Sequence, residues 1–202
     1  MSALTACRLP GWPAIAAAIL LPLWPGAAAA DTWQIARGPS AVGFTVSHLI
    51  FSEVEGRFNR FGGSVELPGV DLEAARIEAH IQAASIHTGH LDRDRHLVSE
   101  EFLDAETFPR IHFVSRAIRR TGEDRYEIVG NLTIRGVRHE LVLAARSMGR
   151  RETASGPRLD FEATGSIDRG DFGLRWNKIW DGRAVLGDEV EISLKICLVE
   201  SP

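Results

Sequence analysis

The chain has 202 residues, with 23 Lys and Arg against 27 Asp and Glu, a formal charge of −4, 45% hydrophobic residues and two Cys. So much apolar content with so little net charge excludes a disordered chain, and the lack of a basic excess argues against nucleic-acid binding. Two cysteines cannot build a disulfide scaffold, so one core-forming domain with a short targeting segment is expected.

Residues 1–30 stand apart from the rest. Arg8 is their only charge, Ala14 to Leu21 is a continuous apolar tract, and Ala28-Ala29-Ala30 precedes Asp31. A basic start, an apolar middle and a small-residue end are the order of a cleaved signal peptide. The alternative, a membrane-spanning helix, is interrupted by Pro22, Pro25 and Gly26. The expected division is therefore a leader at 1–30 and a domain at 31–202. Cleavage would leave 172 residues at a formal charge of −5, with Cys197 the sole thiol. Bacterial export to the periplasm follows, without an internal disulfide. Cys197 lies in an alternating stretch and is either a core residue or a thiol able to pair between chains.

After Asp31, period-two alternation dominates. Val42, Phe44 and Val46 share one parity, as do Ile77, Ala79, Ile81 and Ala83. Tyr126, Ile128, Leu132 and Ile134 follow, then Leu141 and Leu143, then Leu159, Phe161, Ala163 and Ile167. The clearest run is Val190, Ile192, Leu194, Ile196 and Leu198 against Glu191, Ser193, Lys195 and Cys197. Pro68-Gly69 suits a type II turn, and Arg135-Gly136 has the spacing of a two-residue hairpin. Eight or nine strands joined as a meander predict an antiparallel sheet closed into a barrel or stacked as a sandwich. One interval, 92–106, is charged and does not alternate. Ser99 before Glu100 and Glu101, with Val98 and Leu103 as a hydrophobic staple, predicts a short helix starting there and ending before Pro109.

The usual signatures of catalysis are missing: there is no phosphate-binding Gly-rich loop, no Gly-x-Ser-x-Gly and no His-Glu-x-x-His. The best metal candidate is His87, His90, Asp92, Asp94 and His96, whose residue types suit zinc but whose spacing matches no established ligand pattern. Arg169-Gly170-Asp171 reads as a chance tripeptide. Nine Phe, one Tyr and three Trp (Trp33, Trp176, Trp180) follow residue 30. A barrel of about eight strands can fill itself with such side chains or hold one slender ligand. Periodicity does not separate these two outcomes.

Several segments carry a resemblance. Ser40 to His48 runs into Val54 to Gly63; Ser85-Ile86-His87-Thr88 and Arg93 to Leu97 follow. Phe102-Leu103-Asp104, Phe108 to Phe113, Leu132 to Val137 and Arg169 to Gly173 complete the series. In this order and spacing, over Thr32 to Glu200, the chain resembles the YceI-like family of bacterial polyisoprenoid-binding proteins. The resemblance implies an all-β fold: an extended, antiparallel, eight-stranded, lipocalin-like barrel with one short helical insertion. It further implies a hydrophobic tunnel for a polyisoprenoid chain or related amphiphile such as an isoprenoid quinone. Frequent homodimers are implied too; catalysis and a cofactor are not. Two departures are Leu103, where the family often has an aromatic residue, and Arg138, where it usually has Thr.

Parity then names the expected tunnel lining: Phe44, Val46, Phe58, Ile81, Phe113, Ile128, Leu132, Phe161 and Ile192. Arg93, Asp94 and His96 are expected either to form a polar mouth or to pin the helix to the barrel. The expected partner is a long-chain isoprenoid lipid. Two alternatives stay open: a metalloprotein or enzyme built on His87 to His96, and a filled structural barrel without a ligand.

Overall fold

A computed structural model describes residues 31–48, 52–154, 156–177, 179–180, 183–184 and 186–201. The expected leader lies outside the described residues. The chain forms β1 (Asp31–Ile35), β2 (Ala41–His48), β3 (Ser52–Phe58), β4 (Phe61–Leu67), β5 (Arg76–Gln82) and β6 (Ile86–His87). The helix α1 (Leu91–Val98) follows, then β7 (Arg110–Arg120), β8 (Arg125–Ile134), β9 (Val137–Thr153) and β10 (Gly156–Asp168). A two-residue hairpin, β11 (Ile179–Trp180) and β12 (Arg183–Ala184), precedes the last strand, β13 (Leu186–Glu200).

All the long pairings are antiparallel, and the sheet closes because β13 pairs with both β1 and β2. The result is a closed eight-stranded barrel with meander connections. Three of its staves are broken in two: β1 continues as β2, β3 as β4, and β5 as β6. The breaks lie at one level of the wall. Ser85 holds two of them together, because its hydroxyl donates to the Gln82 carbonyl at 2.7 Å and accepts from the Arg60 N–H at 3.0 Å. Ser40 holds the third, accepting the Cys197 N–H at 2.9 Å. At about 3.3 Å per residue, the fifteen residues of β13 run roughly 50 Å, so the barrel is long for its girth.

The turn chemistry explains the connections. Arg135 and Gly136 both have positive φ, 50° and 76°, the left-handed pair that a tight hairpin between β8 and β9 requires. Gly69, at φ 71°, supplies the turn after Pro68.

The helix corrects the sequence expectation. It covers Leu91–Val98, and Ser99 closes it instead of opening it, donating its hydroxyl to the His96 carbonyl at 2.7 Å. The acidic start is Asp92 and Asp94, which meet the positive end of the helix dipole, while Arg95 and His96 meet the negative end. Leu103 N–H then bonds back to the Leu97 carbonyl at 3.1 Å in the turns that lead to β7. Among the described residues, no helix is long and apolar enough to cross a membrane.

Candidate functional site: an apolar tunnel along the barrel axis

Alternation puts one file of each strand inside the barrel, and there the side chains do not meet in the middle. They enclose a cavity of about 570 Å³, within the roughly 300–1,000 Å³ range of small-molecule sites. It runs from Trp33, Leu67 and Leu198 at one end to Val46, Val54 and Leu186 at the other. Its wall is almost entirely hydrocarbon.

The two ends differ. The lower end is packed shut by Trp33, Leu67, Ala75, Tyr126, Ala145 and Leu198, all buried. Trp33 is 2% exposed, and the Arg150 guanidinium lies 5.8 Å from the centre of its ring. The Tyr126 hydroxyl reaches the surface side, where Arg120 Nη2 donates to it at 3.0 Å. At the upper end, Phe44, Val46, Val54 and Phe58 are only half-buried. The cavity is therefore a tunnel packed shut at its lower end.

All nine side chains chosen by parity line this cavity, from Phe44 in β2 to Ile192 in β13. Arg93 and His96 line it too; Asp94 does not. Asp94 turns toward the β6–α1 connection instead, where its Oδ1 accepts the Thr88 N–H at 2.8 Å and the Thr88 hydroxyl at 2.6 Å. Its Oδ2 lies 3.3 Å from His87 Nδ1. Burial alone would raise this carboxyl, but the Thr88 hydrogen bonds and the charge of His87 hold it below the ordinary carboxylate value. Arg93 completes the knot, donating from Nε to the Thr88 hydroxyl and from Nη2 to the Thr88 carbonyl, each at 2.7 Å. The three residues thus divide: Asp94 and Arg93 pin α1 to β6, while His96 packs at a tilt against the aromatic rings of the mouth. The His96 ring lies 4.5 Å from Trp176 and 6.4 Å from Phe102.

The histidine cluster does not converge. His90 sits at the helix start without a capping side-chain bond, and Asp92, almost fully exposed, pairs with Arg95. Among the described residues, no three His, Cys, Asp or Glu side chains are grouped to hold a metal ion.

Arg169, read from the sequence as part of a chance tripeptide and given no role of its own, is buried. Its side chain is 3% exposed. It donates to the carbonyls of Gly187, Leu174 and Trp176 and to Asp188 Oδ1. This one guanidinium ties the loop after β10 to the start of β13 and places Trp176 at the tunnel mouth. Arg169 opens one of the segments that carry the family resemblance, but its role was not legible there, because its partners are mostly backbone carbonyls.

Comparison with known proteins agrees with this architecture. The family described as YceI-like domain matches residues 33–198. A UPF0312 protein of Pseudomonas savastanoi is 34% identical over 135 residues, which is 66% of this chain and 70% of the relative. Burkholderia cenocepacia BcnA shares the fold with a TM-score of 0.70 at 22% identity, over 81% of this chain and 98% of that one. A polyisoprenoid binding domain from Saccharophagus degradans superposes with a TM-score of 0.64 at 16% identity, over 86% and 99% of the two chains.

Proposed function

Because the chain belongs to the YceI-like family, we propose that it is a non-enzymatic binding protein for a long-chain isoprenoid lipid or a related amphiphile such as an isoprenoid quinone. The observation that carries this reading is the hydrocarbon-walled tunnel, packed shut at its lower end. A flexible apolar chain is what such a shape accepts, and each buried CH₂ contributes about 0.8 kcal/mol. The nine inward side chains form the binding wall. The chain enters from the upper end, and its head group stays near Arg93 and His96, where polar side chains join the wall. No covalent step is required, because the ligand is selected by length, width and the mouth. The family likeness of residues 33–198 and the leader-like 1–30 support a periplasmic carrier or buffer that pairs as a homodimer.

Native mass spectrometry of the protein purified from its own host tests the reading. The expected result is a bound lipid whose mass matches an isoprenoid, released by organic extraction. Protein that is consistently empty, and that takes up neither polyprenol nor isoprenoid quinone, would overturn it.

A further inference from the structure

The inward files of the barrel are bulky and apolar, with a few exceptions. One is Gly56, flanked in the same file of β3 by Val54 and Phe58, both on the tunnel wall. Its backbone lies in regular strand opposite Phe44 of β2, so no turn or left-handed conformation calls for glycine there. The reason is space. A Cβ at Gly56 would lie 2.2 Å from Cζ of Phe44, 2.6 Å from Cε1 and 2.8 Å from Cε2. The Phe44 ring therefore lies over the bare backbone of Gly56, and its centre is 5.6 Å from that of Phe58.

Gly130 shows the same arrangement in β8, beneath the ring of Phe113, but there an added Cβ would also come within 2.7 Å of the Val114 carbonyl oxygen. At Gly165 it would come within 2.8 Å of the Val142 carbonyl oxygen. Gly56 differs, because the three nearest atoms are all in one side chain. A methyl group there is relieved by moving the ring, without breaking the wall. Carbon atoms in ordinary contact are about 3.5 Å apart or more, so the ring has to retreat by roughly 1.3 Å. The wall is behind it, and the lumen is in front.

We propose that Gly56 is the residue that sets the bore of the tunnel, by letting Phe44 lie against the wall, and that this bore admits methyl-branched chains. The inference rests on the proposed isoprenoid binding. A methyl branch widens a hydrocarbon chain at intervals, whereas a straight alkyl chain keeps one narrow section throughout. A displaced Phe44 ring obstructs the first more than the second.

The test is native mass spectrometry of the full chain incubated with an equimolar mixture of geranylgeraniol and hexadecanol, branched and unbranched chains of equal main-chain length. The ratio of the two complexes is the readout, and circular dichroism checks the fold. Gly56→Ala is expected to shift the ratio tenfold or more toward hexadecanol, and Gly56→Ala with Phe44→Leu to restore it. Phe44→Leu alone adds no atom to the wall and is expected to shift the ratio toward geranylgeraniol. An unchanged ratio in folded Gly56→Ala or in Phe44→Leu, or a double variant that stays shifted, would overturn the role of Gly56. Should Gly56→Ala not fold, Phe44→Leu alone decides. Wild-type protein that takes up neither alcohol would remove the binding reading and this inference with it.

Discussion

Asp94 and Thr88 hold the tunnel mouth through a single oxygen: Oδ1 of Asp94 accepts both the backbone N–H and the hydroxyl of Thr88, at 2.8 and 2.6 Å. Arg93 grips Thr88 from its other side. Gly89, at φ 82°, makes the bend between Thr88 and the helix. The placement of α1 across the barrel end depends on this knot.

Asp94→Ala removes both accepting bonds and leaves the Thr88 N–H unpaired. Hydrogen bonds to a charged group contribute about 1.5–3 kcal/mol, so stability is expected to fall by about 2 kcal/mol in urea unfolding. The pH dependence has a definite sign. The folded carboxyl titrates below its ordinary value of 3.8, so its stabilisation is complete above that value and is lost as pH falls through the depressed folded one. In Asp94→Asn the stability gap to wild type is expected to shrink below about pH 4, as followed by unfolding curves across that range. A gap that stays constant there would contradict the assignment.

Arg169 is the second support of the mouth. Arg169→Met leaves the carbonyls of Leu174, Trp176 and Gly187 without their donor, an expected loss of about 1–3 kcal/mol for each that stays buried. Arg169→Lys is not expected to rescue it, because one ammonium cannot reproduce a planar fork that reaches several acceptors. Tryptophan fluorescence reports both the unfolding midpoint and the displacement of Trp176. Equal stability of the lysine variant and wild type would refute the argument.

Filling the tunnel is expected to abolish binding while the barrel survives. Ala163 of β10 is buried and lines the cavity. Ala163→Trp projects an indole into the lumen, with an overpacking cost of about 1–3 kcal/mol. Native mass spectrometry should show the variant without lipid and circular dichroism should show it folded; retention of lipid at the wild-type level would place the ligand elsewhere.

Cys197 is 2% exposed, and burial raises its thiol above the ordinary value, as does the Asp160 carboxylate paired opposite it. With Cys7 replaced (Cys7→Ser), the folded protein at neutral pH is expected to react with iodoacetamide at least a hundredfold more slowly than the urea-unfolded chain. Rapid labelling of the native state, or a disulfide-linked dimer on a non-reducing gel, would contradict this.

Much of this protein was legible in its residue pattern. A strand has a strict two-residue period, so once the apolar parity of each run is read, the side chains on one face are determined together. That is why the nine residues from Phe44 to Ile192 all reach one cavity. Arg135-Gly136 was legible as well, because a two-residue connection between strands demands left-handed backbone.

The rest depends on contacts between residues far apart in the chain. Ser99 carries a helix-start pattern in its own neighbourhood, yet Arg135 Nη1 and Nη2 bind the carbonyls of Phe102 and Glu100, drawing that segment into turns. Cys197 has outward parity and is nonetheless buried, because the Ala36 N–H and Ser40 bond to its backbone and the break between β1 and β2 lies beside it. Whether the barrel is filled or hollow was decided in the same way. The aromatic count is the same in either case. The rings of Phe44 and Phe113 rest on the bare backbone of Gly56 and Gly130, contacts that strand register sets and the aromatic count does not. Local periodicity assigns a residue to a face, but only cross-strand register determines its neighbour.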